Sequence, residues 1–107
     1  MKTCKLLREQ VAAATGSKKA ELVLKNAQIV NVFTQSVEIG DIAIEGGYIV
    51  GIGNYEGITE KDLGGAYVCP GFLDGHIHIE SSMTSPGEFE RAVVPHGTIA
   101  VITDPHE

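Results

Sequence analysis

His76 and His78 stand two residues apart in the stretch Cys69-Pro-Gly-Phe-Leu-Asp-Gly-His-Ile-His-Ile-Glu-Ser-Ser82. The stretch reads as a buried strand entered through a turn. Strand side chains alternate faces, so the two imidazoles are expected on one face, roughly 6.6 Å apart along the strand. At that separation they can converge on one ion with bonds of about 2.0–2.1 Å. Phe72 and Asp74 share the histidine face, and Ile77 and Ile79 take the opposite one. Polar ligands at the C-terminal end of a strand with aliphatics behind them are how a barrel strand presents a site. Two histidines in a strand also occur on ordinary half-buried faces, so the spacing by itself is a weak signal. Glu80, just beyond, is placed to orient a ligand or touch substrate, or else is a solvent carboxylate in a loop.

A second polar group closes the sequence. Asp104, His106 and Glu107 follow the apolar run Thr98-Ile-Ala-Val-Ile-Thr103. If that run is a strand parallel to the first, these residues fall beside the histidines, as ligands or as their supports. An Asp-Pro turn with local caps is the competing reading. His96 sits in a helix-ending turn and suits a C-terminal cap. Ser81 and Ser82 have no visible base, which disfavours nucleophilic catalysis.

Two other motifs fail. His78-Ile79-Glu80 has the H-x-E form of zinc nucleobase deaminases, but their P-C-x-x-C partner is missing. His106-Glu107 could open an H-E-x-x-H helix, but this is disfavoured because Pro105 follows a β-run, and the sequence ends before the second histidine.

The elements that must carry these groups are legible in order. Residues 2–14 suggest a helix with Leu7, Val11 and Ala14 on one stripe, stopped by Thr15-Gly16 and followed by a linker to residue 19. Short strands follow: 22–24, 29–33, 37–39, 41–45 and 48–52, with a further short one near 61–63. Gly46-Gly47 is a two-residue hairpin signal, since both turn positions need positive φ. Short strands with glycine turns suggest a small β-sandwich over 20–68, free of titratable clusters and therefore scaffold. Beyond the histidines, Ser85-Pro86-Gly87-Glu88 opens a helix by capping box and proline, with Phe89, Ala92 and Val93 on its buried stripe. Strand, helix and strand then form a right-handed parallel crossover. The fold class expected is mixed α/β, a small β-sandwich plus the first βαβ unit of a (β/α)8 barrel. Because such a barrel needs about 250 residues, the chain is expected to be the N-terminal piece of a longer protein.

The 107 residues include 14 acidic and 8 basic ones, a net charge of −6 with no basic run. Binding to nucleic acid or to an anionic membrane through a positive patch is thereby disfavoured. Two cysteines without framework spacing fit a reduced, cytoplasmic setting. No signal peptide or membrane span is read at the N-terminus, where Arg8 interrupts the apolar run.

Three segments together carry a resemblance. "DIAIEGGYIVGIG" and "DLGGAYVCPGFLDGHIH" resemble the N-terminal part of the metal-dependent amidohydrolase superfamily. "HIHIESSMTSPGEFERAVVPHGT" followed by "VITDPHE" is the more specific match, to the adenine deaminases of bacteria and archaea. Ile99-Ala100 is a mild departure in a strand expected to be richer in threonine. The resemblance covers the chain from about residue 20. It implies a small β-sandwich beside a (β/α)8 barrel, to which 20–68 and 69–107 correspond, while 1–19 keep their reading as helix and linker. It implies that His76 and His78 bind the first metal of a binuclear centre, Mn or Fe in preference to Zn. The remaining ligands and the catalytic carboxylate would lie beyond Glu107. The implied activity is hydrolytic deamination of adenine to hypoxanthine and ammonia, in purine salvage or adenine catabolism. A homo-oligomer acting on a small purine is expected of the full-length protein, and no turnover of the segment alone. Alternatives are another amidohydrolase acting on a cyclic amide or N-acyl substrate, or a non-catalytic scaffold of the same fold.

Overall fold

A computed structural model describes residues 3–103. The chain is mixed α/β and divides into two compact units, which meet in sequence between Cys69 and Pro70.

The first unit opens with helix α1, Cys4–Ala14. Thr3 caps it, its Oγ1 accepting the Leu6 N–H at 3.1 Å, and Gly16 takes a positive φ just past its end. The face that buries is Gln10 and Ala13, whereas Leu7 and Val11 of the expected stripe are half-exposed. Small Ala13 lets the helix approach the sheet closely, and Gln10 ties it down by donating Nε2–H to the Glu45 carbonyl at 3.0 Å. A polar anchor thus overrides the apolar periodicity.

Five strands follow: β1 Ala20–Asn31, β2 Ser36–Glu45, β3 Tyr48–Gly53, β4 Gly57–Asp62 and β5 Tyr67–Val68. They form one mixed sheet in the order β3-β2-β1-β4, with β5 also pairing β1. The expected sandwich is, in these residues, a single sheet, because β4 and β5 add to β1 in parallel and do not build a second layer. The run 22–24 and the first part of 29–33 join in one twelve-residue strand interrupted by a bulge, where β1 advances three residues from Leu24 to Ala27 while β2 retreats two, from Ile42 to Gly40; Val32 and Phe33 fall in the turn that follows. Asn26 sits in that bulge with φ 58°. The hairpin at Gly46-Gly47 forms as expected, with φ of 59° and 79° joining β2 to β3. Its core is two small clusters, Ala13, Ala20, Val23 and Ala43 in one, and Ala27, Ile29 and Ile42 in the other.

The second unit runs β6 Phe72–Ile77, a 3₁₀ turn Ile79–Ser82, α2 Pro86–Val93, a second 3₁₀ turn Val94–His96, and β7 Thr98–Thr103. β6 and β7 pair in parallel across the helical connection. Ser85 caps α2, accepting the Glu88 N–H on its Oγ at 3.4 Å, and Pro86 holds the first turn. Gly97, with φ 100°, ends the second turn and returns the chain to β7. Phe89 and Val93 face the start of β7 across an open groove, whereas Ala92, expected on the same stripe, is exposed. The strands expected to be buried are not: Phe72, Leu73, Ile99 and Ile102 are all exposed. Two strands and one helix offer too little surface to cover both faces of a parallel pair.

Candidate metal centre

β6 stops at Ile77, one residue short of the second histidine. His78 is the extended residue that precedes the 3₁₀ turn, with φ −114° and ψ 98°. The alternation assumed from sequence is also broken. From Asp74, opposite Val101, to Ile77, opposite Thr103, β6 spends three residues against two on β7. The extra residue is a bulge at Gly75-His76, and bulges re-aim the side chains that follow them.

The two imidazoles meet. Their Nε2 atoms lie 3.0 Å apart, with ring centroids 4.8 Å apart and planes at 74°. Two nitrogens bound at about 2.0–2.1 Å to one ion lie about 2.9 Å apart at a right angle and about 3.3 Å apart at the tetrahedral angle. The observed spacing falls inside that range, so the pair has the bite of a chelate. Without an ion, the same spacing suits one Nε2–H donating to the other ring's lone pair. His76 is exposed and His78 half-buried, so the pair opens to solvent and is not sealed in an apolar core.

Around the pair, Asp74 Oδ1 accepts the His76 backbone N–H at 3.1 Å. The Glu80 carboxylate lies 3.9 Å from His78 Nδ1, the ring nitrogen turned away from the meeting point. That is a Coulombic neighbour of the ring, beyond hydrogen-bond length. Ser82 is occupied locally, donating to the Ile79 carbonyl at 2.5 Å and sharing a hydrogen bond with Thr84 at 2.8 Å. His96 closes the second 3₁₀ turn. Cys4 and Cys69 are free and exposed. Asp104, His106 and Glu107 lie outside the described residues. Among the described residues no three His, Cys, Asp or Glu side chains gather as a metal cage. Two imidazoles leave an ion's remaining positions to other donors.

The stretch expected to be plain scaffold also holds a polar cluster, which the spacing of its residues does not reveal. Asp41 is 6 % exposed and accepts from Lys25 Nζ at 2.8 Å, the Asn26 N–H at 3.1 Å and the Tyr55 N–H at 3.2 Å. Burial pushes its pKa up, but the Lys25 hydrogen bond, the two backbone donors and the Lys25 charge outweigh that and hold it below the usual 3.8. The hydrogen bond to Asp41 correspondingly raises Lys25 above 10.5. Asp62, accepting from the Asn26 side chain and the Gly64 N–H, is also lowered. These groups hold the β1 bulge together. Only Asn26, a residue type that tolerates positive φ, hints at them in the sequence.

The class of fold comes first from solved structures. The chain superposes on L-hydantoinase (dihydropyrimidinase) from Arthrobacter aurescens with a TM-score of 0.61 over 78 % of this chain and 20 % of that one, at 21 % identity. That likeness speaks to the fold. No family model matches the chain.

Sequence comparison is sharper, and the relatives are adenine deaminases, as the motifs around the histidine pair suggest. The chain is 57 % identical over 103 residues to adenine deaminase 2 of Carboxydothermus hydrogenoformans, covering 96 % of this chain and 18 % of that protein. It is 57 % identical over 101 residues to the adenine deaminase of Geobacillus kaustophilus, covering 94 % and 18 %. With that of Listeria monocytogenes the identity is 49 % over 109 residues, covering 100 % and 19 %. The chain therefore spans about a fifth of the length of the curated relatives it matches.

Proposed function

We propose that this chain is the metal-nucleating N-terminal part of an adenine deaminase, which hydrolyses adenine to hypoxanthine and ammonia. The observation that carries the reading is the 57 % identity to adenine deaminases across nearly the whole chain, and the 3.0 Å approach of two imidazole nitrogens supports it. In this reading residues 1–19 are helix and linker, 20–68 part of a β-sandwich, and 69–107 the first βαβ unit of a (β/α)8 barrel. The single sheet becomes one layer of that sandwich, and β6 and β7 become the first two barrel strands.

His76 and His78 are the metal ligands of this chain, each offering an Nε2 lone pair. A divalent ion, Mn or Fe before Zn, supplies Lewis acidity that brings the pKa of water toward about 7. Glu80 lies 3.9 Å from the far nitrogen of His78, and closing that gap to a hydrogen bond would favour the tautomer whose Nε2 is free to bind. Asp104, His106 and Glu107 are assigned to the same rim, touching substrate or supporting the ligands. The remaining donors of a binuclear centre and the proton-shuttling carboxylate belong to the full-length protein. So does the expected assembly into a homo-oligomer. A cytoplasmic location goes with the free thiols, and no helix among the described residues is long and apolar enough to cross a membrane.

The test is ammonia and hypoxanthine formation from adenine by the purified full-length protein, run beside hydantoin and dihydroorotate, with the metal content measured. Turnover of adenine that disappears on chelation and returns with Mn²⁺ is the expected result. Hydrolysis of a cyclic amide with no adenine turnover would reassign the substrate. A folded protein carrying no metal would leave a scaffold without catalysis. The segment 1–107 alone is expected to be inactive, since two ligands seldom hold a catalytic ion.

A further inference from the structure

We propose that Asp74 is a positioning residue for the histidine pair: its carboxylate holds the bulge that brings the His76 and His78 imidazoles to one point. The proposal rests on reading the pair as metal ligands.

The register carries it. β6 inserts one residue between Asp74 and Ile77 relative to β7. A bulge removes a backbone donor from the ladder, and that donor must find another acceptor. The His76 N–H finds Asp74 Oδ1 at 3.1 Å, two residues back along the same strand. This local side-chain bond, from residue i to the N–H of i+2, is the geometry by which aspartate stabilises a turn. It fixes the backbone between Asp74 and His76, and therefore the direction in which the His76 side chain leaves the strand.

Gly75 does not demand the bulge: its φ lies outside the left-handed range, and a Cβ there would meet nothing within 4 Å. Nor does Asp74 join the histidines as a third ligand, since no three such groups gather among the described residues. What Asp74 does is accept the freed donor. Without it the backbone between Asp74 and His76 loses this side-chain tie, the strand can relax toward regular pairing, and the direction that gives the 3.0 Å approach of the two Nε2 atoms is no longer held.

The test uses the full-length protein stripped of metal and titrated with Mn²⁺, comparing D74N, D74S and D74A with H76A and H78A. Asn keeps an acceptor oxygen without the charge, Ser offers a shorter and weaker one, and Ala offers none. The expected order of Mn²⁺ affinity is parent close to D74N, then D74S, then D74A, with D74A weaker by about 10–100-fold. The melting temperature of the metal-free protein should barely separate D74A from D74N, a split that a merely structural role would not give. D74A binding Mn²⁺ like the parent while H76A does not would overturn the role of Asp74 and leave the metal site standing. H76A and H78A both keeping full Mn²⁺ affinity would remove the site itself. Equal loss in D74N and D74A would make the charge, not the accepted hydrogen bond, the operative feature, and would overturn the geometric argument. Should D74A fail to fold, D74S decides: weaker Mn²⁺ binding than D74N supports the proposal, and equal binding refutes it.

Discussion

Each unit of the molecule contains a strand bulge whose displaced N–H is taken by an aspartate, and the two are used differently. In β1 the Asn26 N–H reaches across to Asp41 on β2 at 3.1 Å. In β6 the His76 N–H bends back to Asp74 of the same strand at 3.1 Å. The first aspartate is buried and collects two further donors, including the Lys25 ammonium. The second is half-exposed, in the middle of β6. Every residue in the buried class among those described belongs to the first unit. The same backbone device therefore stabilises a sheet where it is enclosed, and aims side chains where it is open. A charge satisfied by three donors contributes to stability, whereas a single acceptor stands beside one exposed and one half-buried imidazole.

Removing an imidazole should separate the two roles most strongly. In the full-length protein, His76→Ala should lower metal retention and adenine turnover by more than the about 10–100-fold that loss of a supporting group costs. Amide exchange across β1 and β2 should not change. A variant that exposes the first unit as well would mean the histidine serves the fold.

The converse substitution is Asp41→Asn. It places an amide donor among three donors and strips Lys25 of its counter-charge. Hydrogen bonds to charged groups contribute about 1.5–3 kcal/mol, so exchange protection of the Asn26 and Tyr55 amides should fall by about 2–3 kcal/mol. Metal affinity should hold. Unchanged exchange would show that the Lys25–Asp41 pair is dispensable and that the comparison between the two bulges fails on its enclosed side.

Acid should reproduce that loss reversibly. Asp41 titrates below 3.8 in the folded chain, so its contribution is present above the unfolded value and disappears as pH falls through the lowered folded one. Lys25 titrates above 10.5, so its contribution is present below the unfolded value and disappears as pH rises through its raised one. Protection of the Asn26 amide should therefore be level between about pH 5 and pH 9 and decline outside it, after correction for intrinsic exchange. A decline centred near about pH 6–7 would point to a histidine and away from this pair.

What the sequence made readable follows the locality of the cause. The Gly46-Gly47 hairpin, the Ser85 cap and the helix-ending turn at His96 depend on neighbours within a few residues, and they form where the residue types place them. The approach of His76 to His78 is legible as a same-face pair, but its 3.0 Å closeness is not. It comes together with a register shift against β7, a strand far along the chain. The single sheet escapes a reading of the sequence for the same reason. Parallel pairing of β4 with β1 is a long-range choice that alternation of apolar residues does not encode. Gln10 stays hidden because a polar residue on the docking face breaks the stripe by which helices are recognised.

The smallest effects lie on α2, the helix of the ligand-bearing unit, and they distinguish a cap from a surface ion pair. Ser85 Oγ accepts the Glu88 N–H at 3.4 Å, a long bond for a cap. Ser85→Ala should therefore cost near the lower end of the usual range, about 0.5–1 kcal/mol. Its effect should appear as faster exchange in the first turn of α2. Arg91 and Glu88 pair at 3.0 Å, but their side chains are 77 % and 60 % exposed. Water screens such a pair, so Arg91→Ala should shift stability by no more than a few tenths of a kcal/mol. Because α2 connects β6 to β7, a cap that matters more than expected would show up as a change in Mn²⁺ affinity in Ser85→Ala but not in Arg91→Ala. That outcome would mean the direction of the histidines depends on how the crossover helix begins, and not on the Asp74 bulge alone.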